Sequence, residues 1–308
     1  MKDSRILYYG GLWPTNMGNS FIDMGALYLL RKSCPQAVIY QSSRFSRFYA
    51  QHRSGRRLRW LRNEWRPLDI AEHADVDFVV VAGNVTHTDF IRVEGPTIRS
   101  LVDRGARFVI LGGGCSIYTQ DEVDAFCEFM RLVQTYAFVS RDRPSYAAFK
   151  DSAKLSYAGI DSAFFVSDAV TPTPLRLDDY VVCAFDDQES ERILKLANAV
   201  ILRARHYSFG IREQFKKKLD NTLVSDSPFD YISLYAGAKA VYSDRVHACV
   251  AALAFGKSAR LYSSTPRSHL FSEVGAGDIT VRLVEVDREL LSRRKQEELA
   301  FLSSVFRV

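Results

Sequence analysis

The chain has 308 residues, 47% of them hydrophobic and 25% charged, with a net charge of +5. At roughly 150 residues per domain this is enough apolar material for two packed cores, which excludes disorder as the default state. No run of about 18 uncharged apolar residues occurs, so a membrane-spanning helix is not expected. Met1-Lys2-Asp3-Ser4-Arg5 leads straight into Ile6-Leu7-Tyr8-Tyr9, without the apolar core and cleavage site of a signal peptide, so a cytoplasmic location is expected.

In chain order, short apolar runs end in glycine or small polar residues, with helical periodicity between them. Ile6 to Tyr9 precedes Gly10-Gly11, and Ile22 to Ser33 reads as a helix. Phe78 to Ala82 precedes Gly83-Asn84, followed by a helical stretch from Pro96 to Arg104. Phe108 to Leu111 precedes Gly112-Gly113-Gly114, with a helix from Asp121 to Gln134, and Ala137 to Val139 precedes Ser140-Arg141. After a proline-bearing stretch from Asp168 to Asp179, Tyr180 to Phe185 precedes Asp186-Asp187, and Glu189 to Ala204 reads as a helix. Ala240 to Tyr242 precedes Ser243-Asp244, with a helix from Arg245 to Phe255. Ala259 to Tyr262 and Ile279 to Val286 read as strands, and Asp287 to Phe306 as an amphipathic helix.

Short runs without alternation are strands buried on both faces, the mark of parallel sheets covered by helices. The fold class expected is therefore α/β, with two doubly wound Rossmann-like domains facing a cleft. The linker at Thr171-Pro172-Thr173-Pro174 separates residues 1–170 from residues 176–308. Helix 287–306 is expected to pack back on the N-terminal domain. The cysteines Cys34, Cys115, Cys127, Cys183 and Cys249 are odd in number and contain no C-x-x-C pair, which argues against a disulfide framework and against a zinc site.

Ligands of open α/β sheets bind outside the carboxyl ends of the strands, and the chemically suggestive residues all fall there. The loop Gly10 to Ser20 carries Asn16, Gly18 and Asn19 ahead of a helix that includes Asp23. Three glycines in a row, Gly112 to Gly114, invite close approach to the backbone. Arg141 can hold a carboxylate or phosphate with its planar fork, or it can pair with Asp142. The densest signal is Ser243-Asp244-Arg245-Val246-His247, a cation and an imidazole in the first turn of an apolar helix. A helix N-terminus is unfavourable for cations by roughly 0.3–1 kcal/mol, so this placement makes sense around a bound anion. Ser264, Thr265, Arg267 and His269 form a further phosphate-like set, or an ordinary polar turn.

The run Tyr242-Ser243-Asp244-Arg245-Val246-His247, with its apolar helix and Gly256, resembles the R-x-H signature of the polysaccharide pyruvyl transferase family. Asn16-Met17-Gly18-Asn19 resembles the family's N-x-G-D element, with Asn19 standing where an acid is usual. Gly112 to Gly114, Ser140-Arg141-Asp142 with Ser145, and Gly159-Ile160-Asp161-Ser162-Ala163 resemble three further segments, in the family's order along nearly the whole chain. The resemblance implies a GT-B-like fold; no cofactor and no metal are expected. It also implies transfer of a pyruvyl group from phosphoenolpyruvate to a saccharide or lipid-linked saccharide acceptor, forming a ketal. On this reading Arg245, Arg141, Ser264, Thr265, Arg267, Gly113 and Gly114 bind the donor, mainly from the C-terminal domain. Asn16, Gly18, Asn19, Asp23 and Asn84 bind the acceptor from the N-terminal side. His247 is the general acid, Arg245, Arg141 and Asp142 complete the catalytic set, and the acceptor's proton goes to Asp142, Asp161 or Asp23.

Two other readings compete. A GT-B glycosyltransferase would use a nucleotide-activated sugar, but no ribose-binding pair of acids at suitable spacing is evident in the C-terminal half. A non-catalytic anion or nucleic-acid binder is suggested by Arg44 to Arg66, where eight arginines interleave with Phe45, Phe48, Tyr49, Trp60 and Trp65. Because those arginines lie in one segment outside the glycine loops, nucleic acid is ranked last. The segment is read instead as a peripheral contact with the inner membrane face, or as a solvated basic stretch.

Overall fold

A computed structural model of the chain describes residues 4–11, 16–44, 68–115, 119–177, 179–185, 200–206 and 221–307. The chain divides into two compact units. Unit 1 comprises Met1–Leu12, Leu29–Gly159 and Glu298–Val308, and unit 2 comprises Trp13–Tyr28 and Ile160–Glu297.

Unit 1 is built on six strands: β1 (Arg5–Gly10), β2 (Val38–Ser43), β3 (Phe78–Asn84), β4 (Arg107–Gly114), β5 (Ala137–Ser140) and β6 (Leu155–Ala158). They form one sheet in the order β2-β1-β3-β4-β5-β6. All neighbours run parallel. The run of Phe78, Val79, Val80 and Val81 has no exposure at all, and neither have Phe108 to Leu111. A strand covered on both faces has no polar side to alternate with. One face is filled by Val79, Val81, Phe108, Ile110 and Phe138 against Phe90, Ile98, Leu101, Phe126, Phe129, Met130 and Phe149. With Gly18–Ser33 as α1, these side chains come from helices α2 (Thr88–Val93), α3 (Gly95–Asp103), α4 (Gln120–Leu132) and α5 (Arg143–Phe149). The switch in strand order falls between β1 and β3, whose ends carry Gly10-Gly11 and Gly83-Asn84.

Unit 2 has five parallel strands, β7 (Tyr180–Ala184), β8 (Val200–Ala204), β9 (Thr222–Leu223), β10 (Ala240–Ser243) and β11 (Ser258–Leu261). Their order is β11-β10-β7-β8-β9, so the switch point lies between β7 and β10. The helix after β10, Val246–Ala254, is buried from Val246 to Leu253. That explains why it is apolar on every side rather than amphipathic.

Several expectations need correction. Val200–Ala204 is a strand, not the end of a helix, because its β-branched start pairs with β7; residues 189–199 lie outside the described residues. Ile279 to Val286 is not a strand: Gly277–Thr280 forms a 3-10 turn, and only Val284 bridges to Ala259. Helix Pro228–Gly237 was not anticipated. The division into units is also not a single cut near Thr171. Residues 13–28 and 160–170 go with the second sheet, and residues 298–308 go with the first.

The helix Gly18–Ser33 and the helix Arg288–Val305 each have residues in both units. In the second of these, Phe301 stacks on Tyr157 with ring centres 4.9 Å apart, and Phe306 meets Phe78 edge-on at 5.1 Å, all within unit 1. All five cysteines are unbridged.

Candidate active site

At the switch point of unit 2, β10 ends at Ser243, whose Oγ donates to the Ala184 carbonyl at 2.6 Å and accepts from the Arg245 backbone N–H at 2.8 Å. This hydroxyl ties β10 to β7 and fixes the extended backbone of Arg245, the residue that caps the helix Val246–Ala254. Burial, and then the nearby charge of Arg267, lower the Arg245 pKa to about 10. Arg267 follows β11, the neighbouring strand. Arg245 and Arg267 are both half-buried, and their like charges at adjacent strand ends repel each other.

In the first turn of the same helix, His247 is 6% exposed. Its Nε2 lies 3.5 Å from Asp161 Oδ2. Asp161 is fully buried, and its other oxygen accepts the Ala163 N–H at 2.9 Å, capping the 3-10 turn Ser162–Phe165. One carboxylate oxygen is thus fixed by the backbone and the other is aimed at the imidazole. Gly18 closes the opposite side: a Cβ there would stand 2.8 Å from the His247 Cβ. Asn16 Oδ1 accepts the Gly18 N–H at 3.0 Å, and the Met17 N–H donates to the His206 carbonyl at 2.9 Å. The four segments that hold Asn16, Asp161, His206 and His247 therefore assemble within one unit.

His206 and its aromatic surroundings escaped the sequence reading. Burial, and then the charge of His247, push the His206 pKa down to about 3, so its ring is neutral at any ordinary pH. Its Nε2 is hydrogen-bonded to the Tyr235 hydroxyl. Burial holds the Tyr235 phenol well above its usual range, so the phenol keeps its proton. Tyr231 donates to the Arg205 carbonyl at 2.5 Å and accepts from the Ser225 N–H at 3.1 Å. Its pKa is raised to about 12, chiefly by burial. The signal in the sequence is a histidine two residues past β8, a strand whose residues have the look of a helix end.

The remaining expected site residues have other local roles. Arg141 has no exposed surface. Its Nη2 donates to the Cys115 carbonyl at 2.9 Å and its Nε lies 3.6 Å from Asp142 Oδ2. Asp142 Oδ1 accepts the Ser145 N–H at 2.8 Å and caps helix α5. The glycine triplet makes room for protein, not for open space: a Cβ on Gly114 would stand 2.4 Å from Arg141 Nε, and one on Gly113 would stand 2.7 Å from Phe138. Thr265 caps a 3-10 turn by accepting the Arg267 N–H, and Ser264 is exposed. Asn84 is half-buried at the end of β3, where its carbonyl lies 3.1 Å from His87 Nε2. Asn19 and Asp23 are half-buried one turn apart on the helix Gly18–Ser33. Of the basic segment, Arg44 is buried 3.8 Å from Glu94 and over the ring of Phe90. Residues 45–67 lie outside the described residues. Among the described residues, no cluster of His, Cys, Asp and Glu could hold a metal ion, and no helix is long and apolar enough to cross a membrane.

The sequence profile of the polysaccharide pyruvyl transferases matches residues 16–265. The chain belongs to that family. It is therefore a transferase of polysaccharide biosynthesis, and the match spans both the Asn16 loop and the Arg245–His247 turn. Among curated proteins none is significantly similar. Among solved structures the chain is similar to Staphylococcus aureus MnaA bound to UDP, with a TM-score of 0.55, 13% identity and coverage of 98% of this chain and 90% of that one. It is similar to the UDP-GlcNAc 2-epimerase of Methanocaldococcus jannaschii, at TM-score 0.53 and 12% identity over 96% and 92% of the two chains. The UDP-N-acetylglucosamine 2-epimerase of Rickettsia bellii gives TM-score 0.53 and 12% identity over 99% and 98%. At such identities the likeness concerns the fold alone, the GT-B-like α/β class with two parallel sheets.

In this pyruvyl transferase family member the R-x-H turn and the aspartate segment meet side chain to side chain. The S-x-R-D segment and the glycine loop meet each other in the other unit.

Proposed function

We propose that the protein transfers the pyruvyl group of phosphoenolpyruvate to two hydroxyl groups of a saccharide, forming a cyclic ketal and releasing phosphate. The observation that carries this reading is the Asp161–His247 pair on the turn whose cap, Arg245, stands beside Arg267. Phosphoenolpyruvate brings a carboxylate and a phosphate, and two arginines match them. His247, steadied at Nε2 by Asp161, delivers a proton from its other nitrogen to the methylene carbon, which becomes the methyl group. C2 is then electrophilic and a sugar hydroxyl adds to it. The neutral imidazole takes up that hydroxyl's proton, so one residue serves as acid and then as base. The C2–O bond to phosphate breaks, the second hydroxyl adds, and its proton leaves with the phosphate. Asn19, Asp23 and Asn84 are the proposed acceptor-side groups. Arg141 and Asp142 support the glycine loop. The acceptor is a saccharide or lipid-linked saccharide, the latter presented at a membrane surface.

The test is incubation with phosphoenolpyruvate and a panel of saccharides, with inorganic phosphate and product mass as readouts. Acceptor-dependent phosphate release with a matching mass gain is expected. Thermal stabilisation by nucleotide sugars but not by phosphoenolpyruvate, without phosphate release, would overturn the reading in favour of a glycosyltransferase.

A further inference from the structure

Unit 1 carries a cavity of about 690 Å³, lined by Arg107, Arg131, Gln134, Tyr136, Asp151 and Lys154 among others. It lies at the amino ends of three adjacent strands. Arg107 opens β4, Tyr136 immediately precedes β5 and donates its N–H to the Phe108 carbonyl at 2.8 Å, and Lys154 immediately precedes β6 and donates to the Thr135 carbonyl at 2.9 Å. None of these residues belongs to a segment that resembles the family's motifs, so the cavity is not explained by pyruvyl transfer.

We propose that this cavity binds a small phosphomonoester. Arg107 and Lys154 both stand over the ring of Tyr136, at 5.0 and 5.5 Å from its centre. Arg131 joins them from the last turn of helix α4. Among the described residues none of these three cations has an ion pair, and all three are exposed. Against the single acid Asp151 the lining is two charges positive, which matches the dianion of a phosphate ester rather than a lone carboxylate. Cations at the carboxyl end of a helix are also favoured by its dipole, and for Arg131 alone that would suffice. It does not explain Gln134, which lines the cavity and takes a left-handed backbone (φ 46°) where glycine would be unstrained. The volume exceeds that of a phosphate ion and falls in the range of small-ligand pockets. The Tyr136 ring and the arginine stems offer an apolar surface for the organic part.

The proposal is independent of the donor site, and the test keeps them apart. Lys154 is acylated with an amine-reactive ester while a sugar monophosphate is titrated, and Lys154 and Lys150 are read by mass spectrometry. Protection of Lys154 but not of Lys150 is expected. Arg107→Gln with Arg131→Gln should raise the protecting concentration at least about tenfold per arginine lost. Arg245→Ala should leave the protection unchanged. Should the double variant fail to fold, calorimetric titration of Lys154→Met with the same ester gives the same comparison. Absent protection, equal protection by sulfate, or protection lost in Arg245→Ala instead of the double variant would each overturn the proposal. Protection only by vesicles bearing phosphomonoester lipids would also overturn it, in favour of a headgroup contact.

Discussion

Asp161 and His247 show how little of a side chain's behaviour is set by its own identity. A carboxylate with no exposed surface is costly unless its charge is met, and here a backbone amide and an imidazole meet it. If His247 is the acid, His247→Ala should lower kcat by about 10²–10⁴-fold, measured as acceptor-dependent phosphate release. Full turnover in that variant would remove the assignment. His206 makes a separate claim on pH. Its folded pKa of about 3 lies below its ordinary 6.5, so between those values the unfolded chain binds the extra proton. Stability should therefore be complete above about pH 6.5 and fall as the pH drops towards 3. Melting temperatures between pH 7 and pH 4 should decline, and His206→Gln should flatten that decline. An unchanged slope would mean that another group dominates. Asp161 was legible as one of three candidate acids, whereas its place beside His247 came only from packing in space.

At the scale of elements, glycines mark the places where a helix or loop must come close. Gly25 sits in the middle of the helix Gly18–Ser33, where alanine would ordinarily gain about 1 kcal/mol. A Cβ there would lie 1.7 Å from the Ser162 carbonyl oxygen, a backbone atom that cannot swing aside. Overpacking of this kind costs about 1–3 kcal/mol, so it outweighs the propensity gain. Gly25→Ala should lower the melting temperature, and a stabilised variant would show that the helix can slide away from the 3-10 turn. The helix itself was readable from its periodicity, and so was the glycine triplet as a place of close approach. The sequence did not say that the approaching group would be Arg141 itself.

For the whole molecule, the chain's ends do not stay with their neighbours in sequence. Phe306 is 2% exposed and packs on Phe78, at the heart of the first sheet. Phe306→Ala should cost about 3–5 kcal/mol, as for other buried aromatics, seen as a lower urea midpoint. A cost below about 1 kcal/mol would mean that the last helix adds little to unit 1. The sequence carried the two sheets and their parallel sense, because buried runs followed by glycine turns admit few other architectures. It also carried the amphipathic tail, though not the redistribution of residues 13–28 to the second unit.

Period and punctuation are local properties, so the sequence by itself determined the α/β class, most helices and strands, and the loops at which chemistry would gather. It also carried the family, through short motifs in a characteristic order. Partners in space are not a local property. Only the tertiary structure decided that Arg141 reaches the Cys115 carbonyl and stands beside Asp142, that Asn16 and Gly18 serve the His247 turn, and that His206 stands beside it. The physical reason is that burial and distance, which set both charge state and reach, arise only when segments distant in sequence pack together.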